Sequence, residues 1–473
     1  MDRSIGNTFN VSKEQNTPEI ERRRFRPYPE YKDSGVEWLG KIPAHWTLDR
    51  LRSTITNCQN GIWGDEPDGI NDIPCIRVAD FDRLTFCVDK NVPTLRRISP
   101  KDTATRIVRS GDLLLEKSGG GDKQPVGAVV QYDYDIVAVC SNFIARMSVA
   151  GGFSARFLSY LHAALYAARI NVRSIKQNTG IQNLDSSSYL REVVAFPGIG
   201  EQRIIARFLN RETAKIDSLI EKKERLIELL REKRTALITQ AVTKGLDPTV
   251  SMKDSGVEWL GKIPAHWGVM QLKYLVPELT VGIVVTPAKY YVDEGVPCLR
   301  SLNISQGKVN MDDLVFISEE ANEIHHKSKI FKDDIVVVRT GQAGTAAIVP
   351  PLLNGMNCID LLIIRRSNLL ISRLLYYYLN SEAAISQADI LSVGAIQAHY
   401  NTATLAKLLF PIVPYIEQEE IVEYLDRRTS AIDLLSEKIV AAIAFLKEYR
   451  AALISAAVTG KIDIRNMPDD ISQ

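Results

Sequence analysis

KDSGVEWLGKIPAHW, at Lys32–Trp46, occurs a second time without a single change at Lys253–Trp267. Fifteen consecutive identities within a chain of 473 residues indicate an internal duplication. We call these stretches the first and second copies of the repeated motif. The sequence that follows one copy can therefore be compared with the sequence that follows the other. This comparison distinguishes segments common to both halves from segments that differ between them.

The overall composition is that of a soluble chain with several domains. A length of 473 residues corresponds to roughly three domains, and 45% hydrophobic residues suffice for large cores. The formal net charge is only +1, so a nucleic-acid surface would have to come from local patches. The six cysteines form no CxxC pair, and no apolar run approaches the roughly 20 residues that span a membrane. We therefore expect a reduced, cytoplasmic protein without a zinc site.

Residues 47–197 alternate short β-rich runs with turn residues, which indicates a compact α/β or mostly-β domain. Apolar residues at helical spacing predict one helix in it, at Ala155–Ala168. The predicted strands are Ile73–Val78, Asp112–Leu115, Gly127–Val130, Ile136–Cys140 and Val193–Phe196.

A long helix is predicted next, because residues 201–244 contain no proline and no glycine and are rich in Glu, Lys, Arg, Leu and Ile. At ~1.5 Å per residue it would be roughly 65 Å long. Its apolar residues resemble a coiled-coil seam on a seven-residue grid that Lys223 interrupts. The grid residues are Ile216, Leu230 and Leu237, with Leu219, Ile220, Leu226 and Ile227 beside them; in the equivalent second helix the grid is complete at Ile432, Ile439, Leu446 and Leu453.

The charges of the two helices favour pairing between them. Residues 201–244 carry 11 Lys/Arg against 7 Asp/Glu, whereas the equivalent residues 417–460 carry 5 against 8. Opposite net charges and apolar seams suit helices that pack on each other. An antiparallel pair would place one globular domain at each end of a pseudo-twofold body. The alternative is that each helix packs only on its own domain.

The two β-rich regions share only short segments of similar sequence. Pro74–Arg77 matches Pro297–Arg300, and Phe196-Pro197 matches Phe410-Pro411, while the loops between them differ. The motif and the helices therefore look like a shared frame that carries two differently specialised domains. We expect Trp38, Trp46, Trp259 and Trp267 to anchor each domain to this frame.

No group of residues in the sequence matches the pattern of a catalytic site. Phe196–Gly200 fits the F-x-G-x-G loop of S-adenosylmethionine-dependent methyltransferases, but the second half has Phe410–Pro414 there, without a glycine for close backbone approach. An ordinary turn at the end of a strand explains the sequences of both halves. The six histidines are scattered, and Ser118–Lys123 lacks the spacing of a phosphate-binding loop. The chain is therefore predicted to be non-catalytic.

Polar loops at matching places in both halves are suited to DNA recognition. Arg and Lys can pair with guanine, Gln and Asn can pair with adenine, and glycines allow backbone to approach phosphate. Each loop alone is equally compatible with an ordinary polar surface. The candidate DNA-binding residues are Arg77, Lys117, Ser118, Lys123, Lys176, Gln177, Asn178 and Gln182 in the first half, and Arg300, Arg339, Thr340, Gln342, Gln397, Tyr400 and Asn401 in the second.

The chain resembles the specificity subunits of type I restriction–modification systems. The resemblance rests on the repeated motif, on Gly180–Leu184 leading to Phe196-Pro197, and on the helical sequences at 201–245 and 417–463. It implies an α+β fold, in which two β-rich target recognition domains are joined by two long antiparallel coiled-coil helices. Each domain would read half of an asymmetric bipartite DNA sequence, and the helices would set the spacing between the halves.

The resemblance also implies partners and cofactors. Two methyltransferase subunits would dock on the chain and carry S-adenosylmethionine, and restriction subunits would bring ATP and Mg; this chain itself would bind no cofactor and no metal. The implied segments are a lead-in at 1–30, target recognition domains at 31–200 and 246–416, spacer helices at 201–245 and 417–463, and a tail at 464–473. A self-contained methyltransferase or nuclease, and a coiled-coil scaffold without DNA binding, are the alternatives.

Overall fold

The computed structural model describes residues 25–70, 72–178, 180–305, 307–341, 343–391 and 400–467. Side chains are not described for residues 177, 178 and 388–391. The chain forms two compact units, divided between Lys222 and Lys223 and again between Ala441 and Ala442. The first unit contains both ends of the described chain, and the second contains the middle. Within the described ranges, none of the helices has the length and apolar character needed to cross a membrane.

The first unit is rich in short strands. These are β1 Tyr31–Asp33, β2 Lys41–Pro43, β3 Thr47–Arg50, β4 Ile55–Asn60, β5 Asp72–Ile76, β6 Phe81–Asp82, β7 Cys87–Val88, β8 Leu95–Arg97, β9 Leu113–Glu116, β10 Ser118–Gly119, β11 Val129–Gln131, β12 Val139–Cys140, β13 Ile144–Val149, β14 Ile175–Asn178, β15 Ile181–Leu184 and β16 Val193–Phe196. Its short helices are α1 Pro100–Arg106, α2 Ala155–Ala167 and α3 Ser186–Tyr189. The largest sheet has six strands in the order β4-β13-β9-β11-β7-β6, and a three-stranded sheet has the order β12-β5-β8. Every residue of the central strand β9 is buried.

The second unit is also rich in short strands. Its strands are β17 Met252–Asp254, β18 Lys262–Pro264, β19 Gly268–Gln271, β20 Leu279–Val281, β21 Tyr291–Val292, β22 Val296–Leu299, β23 Ile304–Ser305, β24 Lys308–Val309, β25 Val315–Ile317, β26 Ile335–Val338, β27 Ala346–Ile348, β28 Asn357–Cys358, β29 Leu361–Ile364 and β30 Leu409–Ile412. Two four-stranded sheets have the orders β20-β29-β26-β27 and β21-β25-β22-β28. Its short helices are α5 Glu319–Ile324, α6 Ser372–Leu379, α7 Glu382–Leu391 and α8 Thr402–Lys407.

The predicted strand at Ile136–Cys140 is shorter than expected. Val139 and Cys140 pair with the parallel strand β5, and Ala138 forms an isolated bridge with Val108, whereas Ile136 and Val137 are 57% and 50% exposed. An apolar run marks a segment that can be buried, but it does not show how many of its residues find a partner strand.

The duplication extends to the strand register. β12 pairs in parallel with β5, with Cys140 opposite Ile76, and β28 pairs in parallel with β22, with Cys358 opposite Leu299. A glycine approaches each of these pairs: a Cβ on Gly61 would lie 2.1 Å from the carbonyl oxygen of Cys140, and a Cβ on Gly282 would lie 2.5 Å from that of Cys358. Only glycine fits at these two positions, so both units require the same close approach of backbone.

Two long helices contribute residues to both units. They are α4, Ile199–Lys244, with 46 residues, and α9, Tyr415–Val458, with 44. In the first unit, Arg450 Nε donates to Asp217 Oδ1 at 2.8 Å; in the second, Arg234 Nε donates to Asp433 Oδ1 at 3.1 Å. The earlier residue on α4 thus pairs with the later residue on α9, and the later with the earlier, so the helices are antiparallel. The predicted α+β class with two long antiparallel helices is confirmed.

The buried face of the helix pair is narrower than the predicted seam. Ile216, Ile220, Leu230 and Ile238 are buried on α4, and Ile439, Ile443, Leu453 and Ile454 are buried on α9. Leu219 and Leu226, which were predicted beside the seam, are instead 43% and 41% exposed. Two paired helices cover only one stripe of each other, so residues at its margin stay in solvent.

The repeated motif attaches each unit to both helices. In the first unit, Trp46 is 1% exposed and its indole Nε1 donates to Glu201 Oε1, in the first turn of α4, at 3.2 Å. Beyond the end of α9, the Lys461 ammonium donates to the carbonyl oxygens of Leu39 and Lys41 at 2.7 and 2.6 Å. One motif therefore holds the start of one helix and the end of the other.

The second unit repeats this attachment. Trp267 is fully buried and donates to Glu417 Oε2, in the first turn of α9, at 2.9 Å. The Lys244 ammonium, at the end of α4, donates to the carbonyl oxygens of Leu260 and Lys262. A carboxylate in the first turn of a helix is also stabilised by the helix dipole. The contacts of Trp46 and Trp267 match the expected anchoring role.

Candidate nucleic-acid interface

A small sheet brings two of the predicted loops together in the first unit. β10, β15 and β14 form a three-stranded sheet, in which Ser118 lies opposite Asn183 and Lys176 lies opposite Asn183 on the other side. The backbone N–H of Leu184 also donates to the carbonyl oxygen of Lys117 at 2.7 Å. Candidates that are far apart in the sequence therefore share one surface element.

Two cationic side chains of this sheet are held by polar partners. Lys117 Nζ donates to Asn60 Oδ1 at 2.7 Å. Lys176 is 74% exposed and donates to Asp185 Oδ2 at 2.8 Å, a contact that lowers the pKa of the Asp185 carboxyl. Ser118 Oγ donates to Asn183 Oδ1 at 2.6 Å. Exposed ammonium groups in fixed positions are suited to contacts with phosphate or guanine.

The other candidates of the first unit have different surroundings. Lys123 is exposed in the loop that follows β10. Gln182 is only 6% exposed, and its Oε1 accepts from the backbone N–H of Val126 at 3.3 Å, so it supports that loop from inside. Gln177 and Asn178 belong to β14, but their side chains lie outside the described residues.

In the second unit, the two predicted loops are also joined. The backbone N–H of Tyr400 donates to the carbonyl oxygen of Arg339 at 3.2 Å. Asp360 holds both neighbouring candidates: Arg339 Nη1 donates to its Oδ1 at 3.0 Å, and Thr340 Oγ1 donates to its Oδ2 at 3.2 Å. Arg339 directly follows the buried strand β26, as Lys117 directly follows the buried strand β9. The same position in each unit thus presents a cation.

Two other candidates of the second unit have structural contacts. Tyr400 is 4% exposed and belongs to the hydrophobic core of its unit. Asn401 is exposed and caps α8, since its Oδ1 accepts from the backbone N–H of Thr404 at 2.8 Å. Gln342 and Gln397 lie outside the described residues.

Arg77 and Arg300 occupy equivalent positions before short 3-10 turns. Arg77 is paired with Asp80 at 3.1 Å, and Arg300 donates to the carbonyl oxygen of Asp313 at 2.7 Å. Among the described residues, neither arginine forms a hydrogen bond to the loops around Lys117 or Arg339. The structure therefore does not bring these two candidates together with the others.

The sequence did not single out Asn60 and Asp360, which position candidate side chains of the first and second unit. Asn60 lies far before Lys117 in the sequence, and Asp360 lies well after Arg339, yet both reach these cations. Asp360 has a positive φ of 52°, an unusual backbone conformation that Asp tolerates better than most residues. A polar residue at the end of a predicted strand was the only available sign of such a role.

In the described part of the chain, no three His, Cys, Asp or Glu side chains form a group that could hold a metal ion. Burial raises the pKa of Cys140 and of Cys298 to about 12, which keeps both thiols protonated at neutral pH. Burial also raises the pKa of Glu116, although Arg83 lies 2.8 Å from it.

Comparisons with known proteins find similarity to type I specificity subunits. A profile of the family described as type I restriction modification DNA specificity domain matches residues 285–443. The MjaVIII type I restriction enzyme specificity subunit of Methanocaldococcus jannaschii is 24% identical over 328 residues, which cover 65% of this chain and 71% of the relative. The EcoKI specificity subunit of Escherichia coli K12 is 22% identical over 444 residues, covering 89% and 90%. Residues 285–443 thus match the specificity domain of this family, and the chain is similar over most of its length to type I specificity subunits.

A solved structure shares the fold of this chain. It describes complex assembly and conformational transition of a type I R-M system, and one of its chains matches with a TM-score of 0.63 at 16% sequence identity. The match covers 89% of this chain and 99% of the solved chain, so both β-rich units contribute to it. At this identity the similarity concerns the fold alone.

Proposed function

We propose that this chain is a type I specificity subunit that reads an asymmetric, bipartite DNA sequence, with each β-rich unit reading one half. The proposal rests chiefly on the equivalent placement of Lys117 and Arg339. Both follow the central buried strand of their unit, yet the side chains around them differ. Lys117 is held by an amide and Arg339 by a carboxylate, so the two units present different donor patterns to the grooves of DNA.

The proposed base-contacting and phosphate-contacting groups come from the loops that the structure brings together. Exposed or partly exposed Lys117, Ser118, Lys123 and Lys176 would contact one half-site, and Arg339 and Thr340 would contact the other. Gln177, Asn178, Gln342 and Gln397 remain candidates by sequence. Arg77, Gln182, Arg300, Tyr400 and Asn401 would act by supporting these loops, because their described contacts are to the protein itself.

The specificity subunit is the recognition component and is not itself a catalyst. We propose target recognition domains at 31–200 and 246–416, spacer helices at 201–245 and 417–463, a lead-in at 1–30 and a tail at 464–473. Two methyltransferase subunits carrying S-adenosylmethionine would dock on the helices, and restriction subunits with ATP and Mg would join them in the cytoplasm. Exposed apolar side chains on α4 and α9 support such docking, among them Leu226, Leu229, Leu434 and Val440, which are 41–56% exposed.

Mapping of methylated adenines in cells that express the complex tests the recognition proposal. We expect a motif of two unrelated halves separated by a gap of fixed length. Lys117→Ala should weaken or broaden selection in one half only, and Arg339→Ala should do so in the other half only, because the two residues lie in different units. A palindromic motif, or one substitution that altered both halves, would refute the assignment of one half-site to each unit.

Shortening both long helices tests their role as a spacer. Residues 222–228 and 439–445 lie between the two cross-helix ion pairs, at opposing positions of the antiparallel helices. Deleting both heptads should shorten each helix by about 10 Å and shorten the gap by roughly 3 base pairs, since one turn of the helix rises ~5.4 Å and base pairs are ~3.4 Å apart. The letters of both half-sites should stay the same in the methylated sequences; altered letters with an unchanged gap would contradict the spacer role.

A further inference from the structure

The loop between β12 and β13 carries an aromatic residue that is bonded directly to Lys117. The carbonyl oxygen of Phe143, the last residue of this loop, accepts from the backbone N–H of Lys117 at 2.7 Å and from that of Ser118 at 3.2 Å. The Phe143 side chain is nevertheless 47% exposed. Two backbone hydrogen bonds thus fix the place of a residue whose ring is left largely in solvent.

Both ends of this loop are anchored in the protein. Ser141 is 1% exposed, and its backbone N–H donates to the carbonyl oxygen of Ile76 at 2.8 Å. Ile144 is fully buried, and its backbone N–H donates to the carbonyl oxygen of Ser141 at 3.0 Å. Only Asn142 and Phe143 between them are exposed. The ring therefore belongs to a short tip that is held on both sides.

The second unit has a different side chain at the equivalent place. There the two residues Ile359 and Asp360 connect β28 to β29, whereas the three residues Ser141–Phe143 connect β12 to β13. Arg339 and Thr340 both donate to the carboxylate of Asp360. Beside its cation, the second unit thus has a carboxylate, and the first unit has an exposed aromatic ring on a loop that is one residue longer.

The chemistry of DNA limits what such a ring can recognise. In the major groove, the edges of the base pairs present hydrogen-bond donors and acceptors, and the distinctive apolar group is the C5 methyl group of thymine. Phe is among the side chains that contact this methyl group, while Lys can pair with guanine or contact phosphate. A surface that combines Lys117 with Phe143 is therefore suited to a half-site that contains a thymine.

Ile181 is a second exposed apolar residue on the same surface. It is 55% exposed and lies on the same face of β15 as Asn183, which is opposite both Ser118 and Lys176. However, the dipeptide Ile-Gln at 181–182 occurs again at 396–397, in the corresponding loop of the second half. Ile181 does not distinguish the two halves, whereas Phe143 does. A contact that is specific to one half-site is thus better assigned to Phe143.

We propose that Phe143 contacts the C5 methyl group of one thymine in the half-site that the first unit reads. The inference rests on the proposed function, since it requires this unit to read bases, and it adds one named base contact to that function. Asp360 offers no apolar group at the equivalent place, so the second unit would read its half-site without such a contact.

Replacement of thymine by uracil tests the proposal, because uracil also pairs with adenine and lacks only the methyl group. Duplexes that contain the sequence obtained from methylation mapping would carry one uracil at a time, and the dissociation constant of the full chain with its methyltransferase subunits would be measured by fluorescence anisotropy. At one thymine of the first unit's half-site we expect roughly fourfold weaker binding, the effect of one buried methyl group. Phe143→Ala should abolish this difference between thymine and uracil, and Phe143→Leu, which remains apolar, should retain it.

Ile181→Ala is the matched control, because it removes a similarly exposed apolar side chain from the same surface, and it should leave the difference unchanged. The proposal would be overturned by a half-site without a uracil-sensitive thymine, by an unchanged difference in Phe143→Ala, or by its loss in Ile181→Ala. Lys117→Ala separates this failure from that of the proposed function. If Lys117→Ala alters selection of the half-site but Phe143→Ala keeps the difference, only the thymine contact is wrong; if neither variant has an effect, the assignment of that half-site to the first unit is wrong as well.

Discussion

Replacing Trp267 by alanine should lower the free energy of unfolding of the second unit by about 3–5 kcal/mol, as is usual when a large aromatic side chain is removed from a core. Trp267 is fully buried and donates to Glu417. A Cβ added to Gly245 would lie 3.4 Å from the Trp267 ring. Its loss would leave a cavity where the motif meets the ends of both helices. For a unit of this size the midpoint of thermal unfolding should fall by roughly 6–20 °C.

The same substitution at Trp46 should have a similar effect on the first unit, because its contacts are equivalent. Trp63→Ala is the matched control: Trp63 is only partly buried, and the guanidinium carbon of Arg96 lies 4.1 Å from the centre of its ring. We expect a smaller loss there. The methylated DNA sequence should be the same for all three variants, and a changed sequence for Trp46→Ala or Trp267→Ala would show that the motif contributes to base recognition.

Replacing Arg450 by alanine should destabilise the first unit by about 3 kcal/mol, since removal of one partner from a buried ion pair leaves the other charge uncompensated. Arg450 bonds to both carboxylate oxygens of Asp217, at 2.8 and 3.2 Å, and to the carbonyl oxygen of Leu84. Thermal unfolding of the single variants and of the double variant Asp217→Ala/Arg450→Ala would measure the coupling, and the double variant should lose less than the sum of the singles.

The equivalent pair in the second unit provides the comparison. Arg234 and Asp433 are more exposed and share a single described hydrogen bond, so Arg234→Ala should cost about 1 kcal/mol, in the range of exposed ion pairs. The difference between the units follows from the tip of the β6–β7 hairpin, Arg83–Phe86, which covers the Arg450 pair: the Leu84 carbonyl oxygen accepts from Arg450, and the Phe86 ring centre lies 5.4 Å from its guanidinium. Equal losses for Arg450→Ala and Arg234→Ala would show that the covering tip has no influence on the strength of the pair.

The frame of the molecule could be predicted because its signals are local or repeated. An identical motif, two long stretches without proline or glycine, and opposite helix charges were sufficient to predict that the helices pair, and the resemblance to type I specificity subunits implied the antiparallel direction. The contacts of Lys244 and Lys461 were less accessible, since the sequence has Lys-Gly at 244–245 but Gly-Lys at 460–461. The two ammonium groups nevertheless reach equivalent carbonyl oxygens, because a long flexible side chain compensates for the shift of one position.

The recognition loops could be located but not resolved side chain by side chain. The sequence pattern is the same for a polar group that faces solvent, such as Lys176, and for one that turns inward, such as Gln182 or Tyr400. Which of these occurs depends on partners far away in the chain, as Asn60 is for Lys117. The contacts of a hairpin tip could not be predicted from the sequence either, because they depend on which distant arginine the tip reaches in the folded chain.

The two cross-helix ion pairs also bear on how such a chain could have arisen. Each long helix contributes one aspartate and one arginine to these pairs, at the same spacing: Asp217 and Arg234 on α4, Asp433 and Arg450 on α9. An ancestor half as long, with one motif, one domain and one helix, could therefore have closed both pairs with a second copy of itself. Tandem fusion of its gene would have required no new contact, and the two domains were then free to diverge.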